Sequence, residues 1–260
     1  MIVEVDMPSM LSMFALLLIP IGVFIYLGIG LVRETIFSAL RMTVQLLLVG
    51  LYLKYIFVLN NGWVNLLWVV VMMVAANVSI LGKAGLKRRL FFWRSLTGVA
   101  TSTLVVSGWF ILVAIRPEPF YDARYMIPII GMILGNCQRS NVLSLERFYS
   151  GIRKNEQEFI TYLMLGATLR EAVFPYLRTS IKGCVNPSIS TMATMGIVSL
   201  PGMMTGQILG GAMPMAAIKY QVGIMLCIFT AMVIAAIVNI LLSLPVAFDD
   251  HQRLRLDVFQ

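Results

Sequence analysis

Apolar residues run through this chain in blocks of about twenty, broken by short polar segments. A helix needs roughly 20 such residues to cross a hydrocarbon layer of about 30 Å. Seven blocks qualify, at about 10–32, 35–58, 62–82, 95–115, 124–146, 187–211 and 215–246. One passage between the fifth and sixth blocks has a different rhythm. In 156–182, Phe159, Tyr162, Leu163 and Leu165 lie near one face of a short helix, and Gly166 follows as a stop. Thr168 and Glu171 then have the spacing of a capping box, which starts a second helix. Pro175, about two turns in, is expected to bend or shorten that helix. The pattern predicts two short helices meeting at a fixed angle.

Charge sets the orientation. Lys83, Lys87, Arg88, Arg89 and Arg94 follow the third block, and Arg147, Arg153, Lys154, Arg170, Arg178 and Lys182 follow the fifth. The tail adds Arg253 and Arg255, whereas the segment after the fourth block balances Arg116 and Arg124 against Glu118 and Asp122. Basic segments stay in the cytoplasm, so the N-terminus is expected outside, the C-terminus inside and the elbow inside. The net charge of +8 therefore belongs to membrane topology, with no nucleic-acid partner implied.

Composition agrees. Of 260 residues 59% are hydrophobic and only 12% are charged, about half the usual share for a soluble domain. The expected fold is all-α: a polytopic helical membrane protein of about seven transmembrane helices, forming a single domain over 1–260. Residues 147–185 form its cytoplasmic coupling segment. The acidic start, MIVEVDMPSM, is unlike a secretory leader, and the first block reads as a retained span. Cys137, Cys184 and Cys227 are scattered and odd in number, so no disulfide framework is implied.

Chemistry is sparse. There is no phosphate-cradling G-x-x-x-x-G-K-[ST], one histidine (His251), no Cys-x-x-Cys and no carboxylate cluster in a span. No catalytic residues are expected, and the metal ligands, if any, are unknown. Glu34, Ser38, Arg41 and Gln45 share one face of the second block. Arg41 is either an interhelical pin, with Glu34 a possible partner, or a residue on a translocation path. Asn136, Gln138, Arg139 and Asn141 either line an inner vestibule or, for Arg139, reach the headgroups. Asn136 is the better path candidate. Pro201, Gly202, Gly206, Gly210 and Gly211 break the sixth block, as in a discontinuous transport helix or a tight hinge. The 18 methionines, Met203 and Met204 among them, are soft-metal ligands or, more simply, packing.

The stretch LGATLREA (165–172) resembles the coupling-helix segment of ABC permeases, whose Gly-Ala-(Ser/Thr) turn seats in a groove of the ATPase subunit. Four further stretches resemble the FetB-type iron-efflux permeases, a family that includes plant permeases linked to aluminium tolerance. They are RMTVQLLLVGLYLKYIF (41–57), IPIIGMILGN (127–136), SLPGMMTGQILGG (199–211) and AIKYQVGIM (217–225). The resemblance implies a membrane subunit of an ATP-driven exporter in the cytoplasmic membrane, working as a homodimer with a separate ATPase. This chain would bind no cofactor, with ATP and magnesium used by the partner. It also implies an ATPase-docking elbow of Leu165, Gly166, Ala167, Thr168, Arg170 and Glu171. The candidates for the translocation path are Arg41, Gln45, Asn136, Pro201, Gly202, Met203, Met204, Gln207, Tyr220 and Gln221. Relatives usually carry an acidic residue a turn and a half before the elbow Gly, where this chain has Ile160 and Thr161, with Glu158 nearby. The alternative is an ATP-independent carrier or channel. Every acidic residue lies near a span end or outside one, which leaves such a carrier no intramembrane proton relay.

Overall fold

The computed structural model describes residues 6–249 and 251–259. The architecture is helical, and the extended pairings among these residues are isolated bridges. The chain divides into two compact units, 1–59 with 209–211, and 60–208 with 212–260.

In the first unit, helix α1 (Met7–Met13) passes through a tight turn (Phe14–Leu17) into α2 (Leu18–Tyr26). Gly28, at φ 66°, ends that run before α3 (Val32–Leu59). The described side chains of α2 are at most half-buried and α3 buries only Ile56, so both helices offer apolar surface outward.

The second unit contains α4 (Gly62–Lys83), α5 (Arg88–Trp109, continued by a π-helical turn, Phe110–Ile115) and α6 (Ala123–Lys154). After them come α7 (Glu156–Met164), α8 (Leu169–Thr194), α9 (Gly202–Leu209) and α10 (Pro214–Ala247). At its centre α6 packs against α4, α5, α8 and α10, and α10 packs along α5. Phe91, Val99, Phe148 and Ile240 are among the side chains that close the core.

Polar residues within this core act as pins. The Asn239 amide donates to Asn141 Oδ1 at 2.6 Å, and the Asn141 amide donates to the Cys137 carbonyl at 2.8 Å. Asn77 donates to the Phe92 carbonyl at 2.9 Å, Tyr149 donates to Ser243, and Ser180 to the Ser144 carbonyl. Gly98 is where α5 meets Asn239 so closely that a Cβ would overlap the amide oxygen. Inside lipid such groups find partners only within the protein, so they hold helices in register.

Among the described residues, five helical runs are long and apolar enough to cross a membrane: Pro8–Tyr26, Val32–Leu59, Gly62–Lys83, Arg88–Ile115 and Pro214–Ala247. The expected span at 124–146 lies within helix α6, whereas the expected span at 187–211 is shared between two helices. Helix α6 is long enough, but its polar residues lower its hydropathy, which is tolerable because other helices surround it. The sixth block is interrupted, and its first part belongs to a longer helix. Helix α8 starts at the elbow, runs 26 residues through Pro175 and Pro187, and ends at Thr194. Neither proline shortens it, so the elbow's second helix is long, contrary to the sequence expectation. The break falls at Gly196 (φ 88°), inside a turn closed by Gly196 N–H donating to the Ser199 carbonyl. Helix α9, eight residues long, follows.

The basic segments predicted to share one side do meet. Lys87 N–H, in the α4–α5 turn, donates to the Val258 carbonyl of the tail at 2.9 Å, and the Phe248 ring lies 5.6 Å from Phe159 of α7. At the other end, Asn65 of α4 donates to the Tyr121 carbonyl and Asn60 Oδ1 accepts from Ala123 N–H.

Candidate functional site: a capped helical elbow

Helix α7 is nine residues between two interruptions. Asn155 (φ −117°, ψ 41°) separates it from α6, and Gly166 (φ 90°) ends it. Ala167 N–H donates to the Tyr162 carbonyl at 3.1 Å and Gly166 N–H to the Leu163 carbonyl at 3.0 Å. These are the two bonds of a Schellman motif, which needs the left-handed residue that glycine supplies most easily.

The capping box is complete. Glu171 N–H approaches Thr168 Oγ1 at 3.4 Å, and Glu171 Oε2 accepts from both Thr168 N–H and Thr168 Oγ1–H at 2.8 Å. The backbone bond from Thr168 and then its hydroxyl hold the Glu171 carboxyl below the usual carboxylate range. Both helix ends at the elbow are thus closed by their own residues.

The two motifs leave an apolar tip. Met164 and Leu165 are 75% and 80% exposed. Arg170 and Glu171 are exposed beside it, and Ala167 is half-buried. By contrast, Phe159 on the inner face is 1% exposed, edge-on to Tyr176 at 6.4 Å. Glu158 is exposed yet tied to both helices of the elbow: it accepts from Tyr162 at 2.7 Å and from Tyr176 at 3.5 Å. Burial, then the charge of Glu158, pushes the Tyr176 phenol up to about 12. The nearby acid noted in the sequence is therefore committed to bracing the elbow.

The path candidates are dispersed. Arg41 and Gln45 lie exposed on α3 in the first unit, with Glu34 and Ser38 on the same face. No ion pair joins Arg41 to Glu34 among the described residues, because two helical turns separate them by about 10 Å. In the second unit, Asn141 is a buried pin, and the half-buried Gln138 donates to Ser79 Oγ at 2.7 Å. Asn136 and Arg139 do border a cleft of about 220 Å³ between α6 and α8, with Ser140, Cys184, Ser188 and Met232. Met203 packs against the cluster containing Ile224 of α10, as a gap-filler does. Pro201, Met204 and Tyr220 are half-buried and Gly202 is exposed. Gln207 and Gln221 each hold an amide oxygen away from solvent with no donor among the described residues. Both residues are candidates from the sequence, and their orphan acceptors are a feature that residue type alone does not disclose. No group of three metal-ligating His, Cys, Asp or Glu side chains occurs among the described residues.

Comparison with known proteins fits this picture. The family described as "Uncharacterised protein family (UPF0014)" matches residues 7–248. A UPF0014 membrane protein of Synechocystis is 34% identical over 97% of this chain and 98% of its own length. Protein ALUMINUM SENSITIVE 3 of Arabidopsis thaliana is 30% identical over 89% of this chain and 84% of its own. The probable iron export permease protein FetB of Escherichia coli is 31% identical over 75% of this chain and 73% of its own. No solved structure matches. The resemblance carried by the sequence motifs thus extends along nearly the whole chain, which is a helical membrane protein belonging to the UPF0014 family.

Proposed function

We propose that this chain is the permease subunit of an ABC transporter in the cytoplasmic membrane, exporting a metal, with iron the first candidate. A separate ATPase subunit would bind ATP and magnesium, and two copies of the permease would form a homodimer over two ATPases. The N-terminus would lie outside, the C-terminus inside, and 1–260 would act as one transport domain. Substrate and direction rest on the similarity to the relative named as a probable iron export permease.

The observation that carries the reading is the elbow tip. Met164 and Leu165 are held out on a turn whose backbone is satisfied on both sides, so the tip is rigid before any partner arrives. A preorganised apolar knob beside Arg170 and Glu171 suits insertion into a protein groove, because little ordering remains to be done on binding. The elbow residues Leu165, Gly166, Ala167, Thr168, Arg170 and Glu171 would form the contact. The orphan oxygens of Gln207 and Gln221, and the cleft at Asn136, are where the path through the second unit would be sought.

The test is co-purification from the native membrane. An ATPase subunit should accompany the wild-type chain and be lost in Leu165→Glu, which alters an exposed side chain and leaves the fold intact. Vesicles holding both subunits should then move Fe(II) only with ATP. If no ATPase accompanies the wild type and Fe(II) moves without ATP, the chain is an ATP-independent carrier.

A further inference from the structure

The C-terminal tail does not trail from α10. Asp249 N–H donates to the Arg253 carbonyl at 3.0 Å and Arg255 N–H to the Ala247 carbonyl at 2.8 Å, folding the chain back on itself. The Asp249 carboxylate ties the turn by accepting from His251 N–H at 3.0 Å and Arg253 N–H at 2.7 Å. The returning segment passes through a 3-10 turn (Leu256–Val258) to the α4–α5 turn, where Leu86 bridges Phe259 and Lys87 N–H meets the Val258 carbonyl. Val258 is wholly buried, and the Phe259 ring stands edge-on to Tyr149 of α6 at 5.6 Å.

This hairpin also touches the elbow. Among the described side chains of α7 only Phe159 is buried, and its ring lies between Phe248 at 5.6 Å and Tyr176 at 6.4 Å. Arg253 and Leu254 close the remaining gap against Ile152, Arg153, Glu156 and Ile160. The space left is about 20 Å³, room for one water and no ligand.

The closed turn at Gly166 fixes α7 against α8, but the non-helical Asn155 leaves its direction relative to α6 and α10 unset by the backbone. Side contacts must set it, and the tail supplies one of its two ring contacts. We infer that the tail segments 248–249 and 251–259 are a strut that positions the elbow helix, with Phe248 the positioning residue through which displacement of α7 reaches α10 and the α4–α5 turn. This role rests on the docking reading of the elbow. Without the strut, a push on α7 would be absorbed by bending at Asn155.

Two measurements separate the strut from the docking reading. The first uses the purified full-length chain alone, followed by amide hydrogen exchange. In Phe248→Ala, the amides of 159–164 should exchange at least about tenfold faster, while the middles of α4 and α5 keep wild-type protection. Phe248→Leu should restore most of the protection. Val258→Asn, which unseats the tail that backs Phe248 and leaves the Phe248 residue itself unaltered, should shift the same amides and serves if Phe248→Ala fails to fold. Unchanged exchange in α7 with the tail unseated overturns the strut.

The second measurement uses vesicles containing the ATPase. Phe248→Ala should retain the ATPase and hydrolyse ATP, yet transport several-fold less Fe(II) per ATP than wild type, with Phe248→Leu in between. A proportional fall in hydrolysis and transport overturns Phe248 as a transmitting contact. Loss of the ATPase from the wild type would sink the docking reading, and the exchange measurement would still decide the strut.

Discussion

The sharpest prediction concerns Gly166→Ala. The left-handed conformation at φ 90° costs a residue with a Cβ roughly 1–2 kcal/mol relative to glycine. A Cβ built at Gly166 meets no atom within 4 Å, so no steric term adds to that backbone cost. The whole penalty therefore falls on the Schellman turn. Opening of the turn should become roughly 5–30 times more frequent, following that 1–2 kcal/mol. Amide exchange at Gly166 and Ala167, read by NMR or mass spectrometry on the detergent-solubilised protein, should rise by this factor. The buried helices α5 and α6 should keep wild-type protection. Gly166→Asn should fall between wild type and Ala, because asparagine tolerates the left-handed region better. Equal exchange in Gly166→Ala and wild type would refute the reasoning, because the turn would not need glycine. A fall in protection across α6 would refute it differently, by showing that the elbow is not locally contained.

Other outcomes follow from the same geometry. Thr168→Ala removes the cap acceptor and should weaken the start of α8 by about 1 kcal/mol, seen as faster exchange at Glu171 and Ala172. The Glu171 carboxyl is lowered on folding, so its contribution is complete above the unfolded value of 4.5 and is lost as pH falls through the lower folded value. Exchange of the Thr168 amide, corrected for its intrinsic pH dependence, should rise over that window, and Glu171→Gln should abolish the dependence. Asn239→Leu leaves Asn141 Oδ1 without its donor in the core and should cost about 1–3 kcal/mol, measured as a lower midpoint of thermal unfolding in detergent. Gly98→Ala should also destabilise, and Asn239→Ala in the same chain should recover much of the loss by vacating the space.

The elbow was legible because its chemistry is local. A left-handed glycine and a Thr-x-x-Glu pair act within four residues, so sequence spacing alone specifies them. Placement of Pro175 and Pro187 was not legible in the same way. Each ring removes one backbone donor, yet α8 continues, with Thr179 and Thr191 hydroxyls donating to the carbonyls of those same prolines. Tertiary packing decides whether a proline ends a helix, and packing is not a local property. The pairing of Asn141 with Asn239, 98 residues apart, is likewise invisible along the chain. It moved Asn141 from vestibule candidate to structural pin. Helix α6 was legible as a span at 124–146 despite its polar residues; the helices that pack around those residues were not.

The continuity of α8 has a mechanical consequence. Twenty-six residues make a rod about 39 Å long, with the capped elbow at one end and the Gly196 turn at the other. A tilt of about 5° pivoting at Thr168 would sweep the Met195 end through about 3 Å, roughly half a helical turn of rise. That end carries Ile197 and Val198, 90% and 77% exposed, directly before α9. On the docking reading, α8 would act as a crank: a small rotation applied at its base would emerge as a displacement at the Gly196 turn. Gearing of this kind needs no change in the fold of α8 itself.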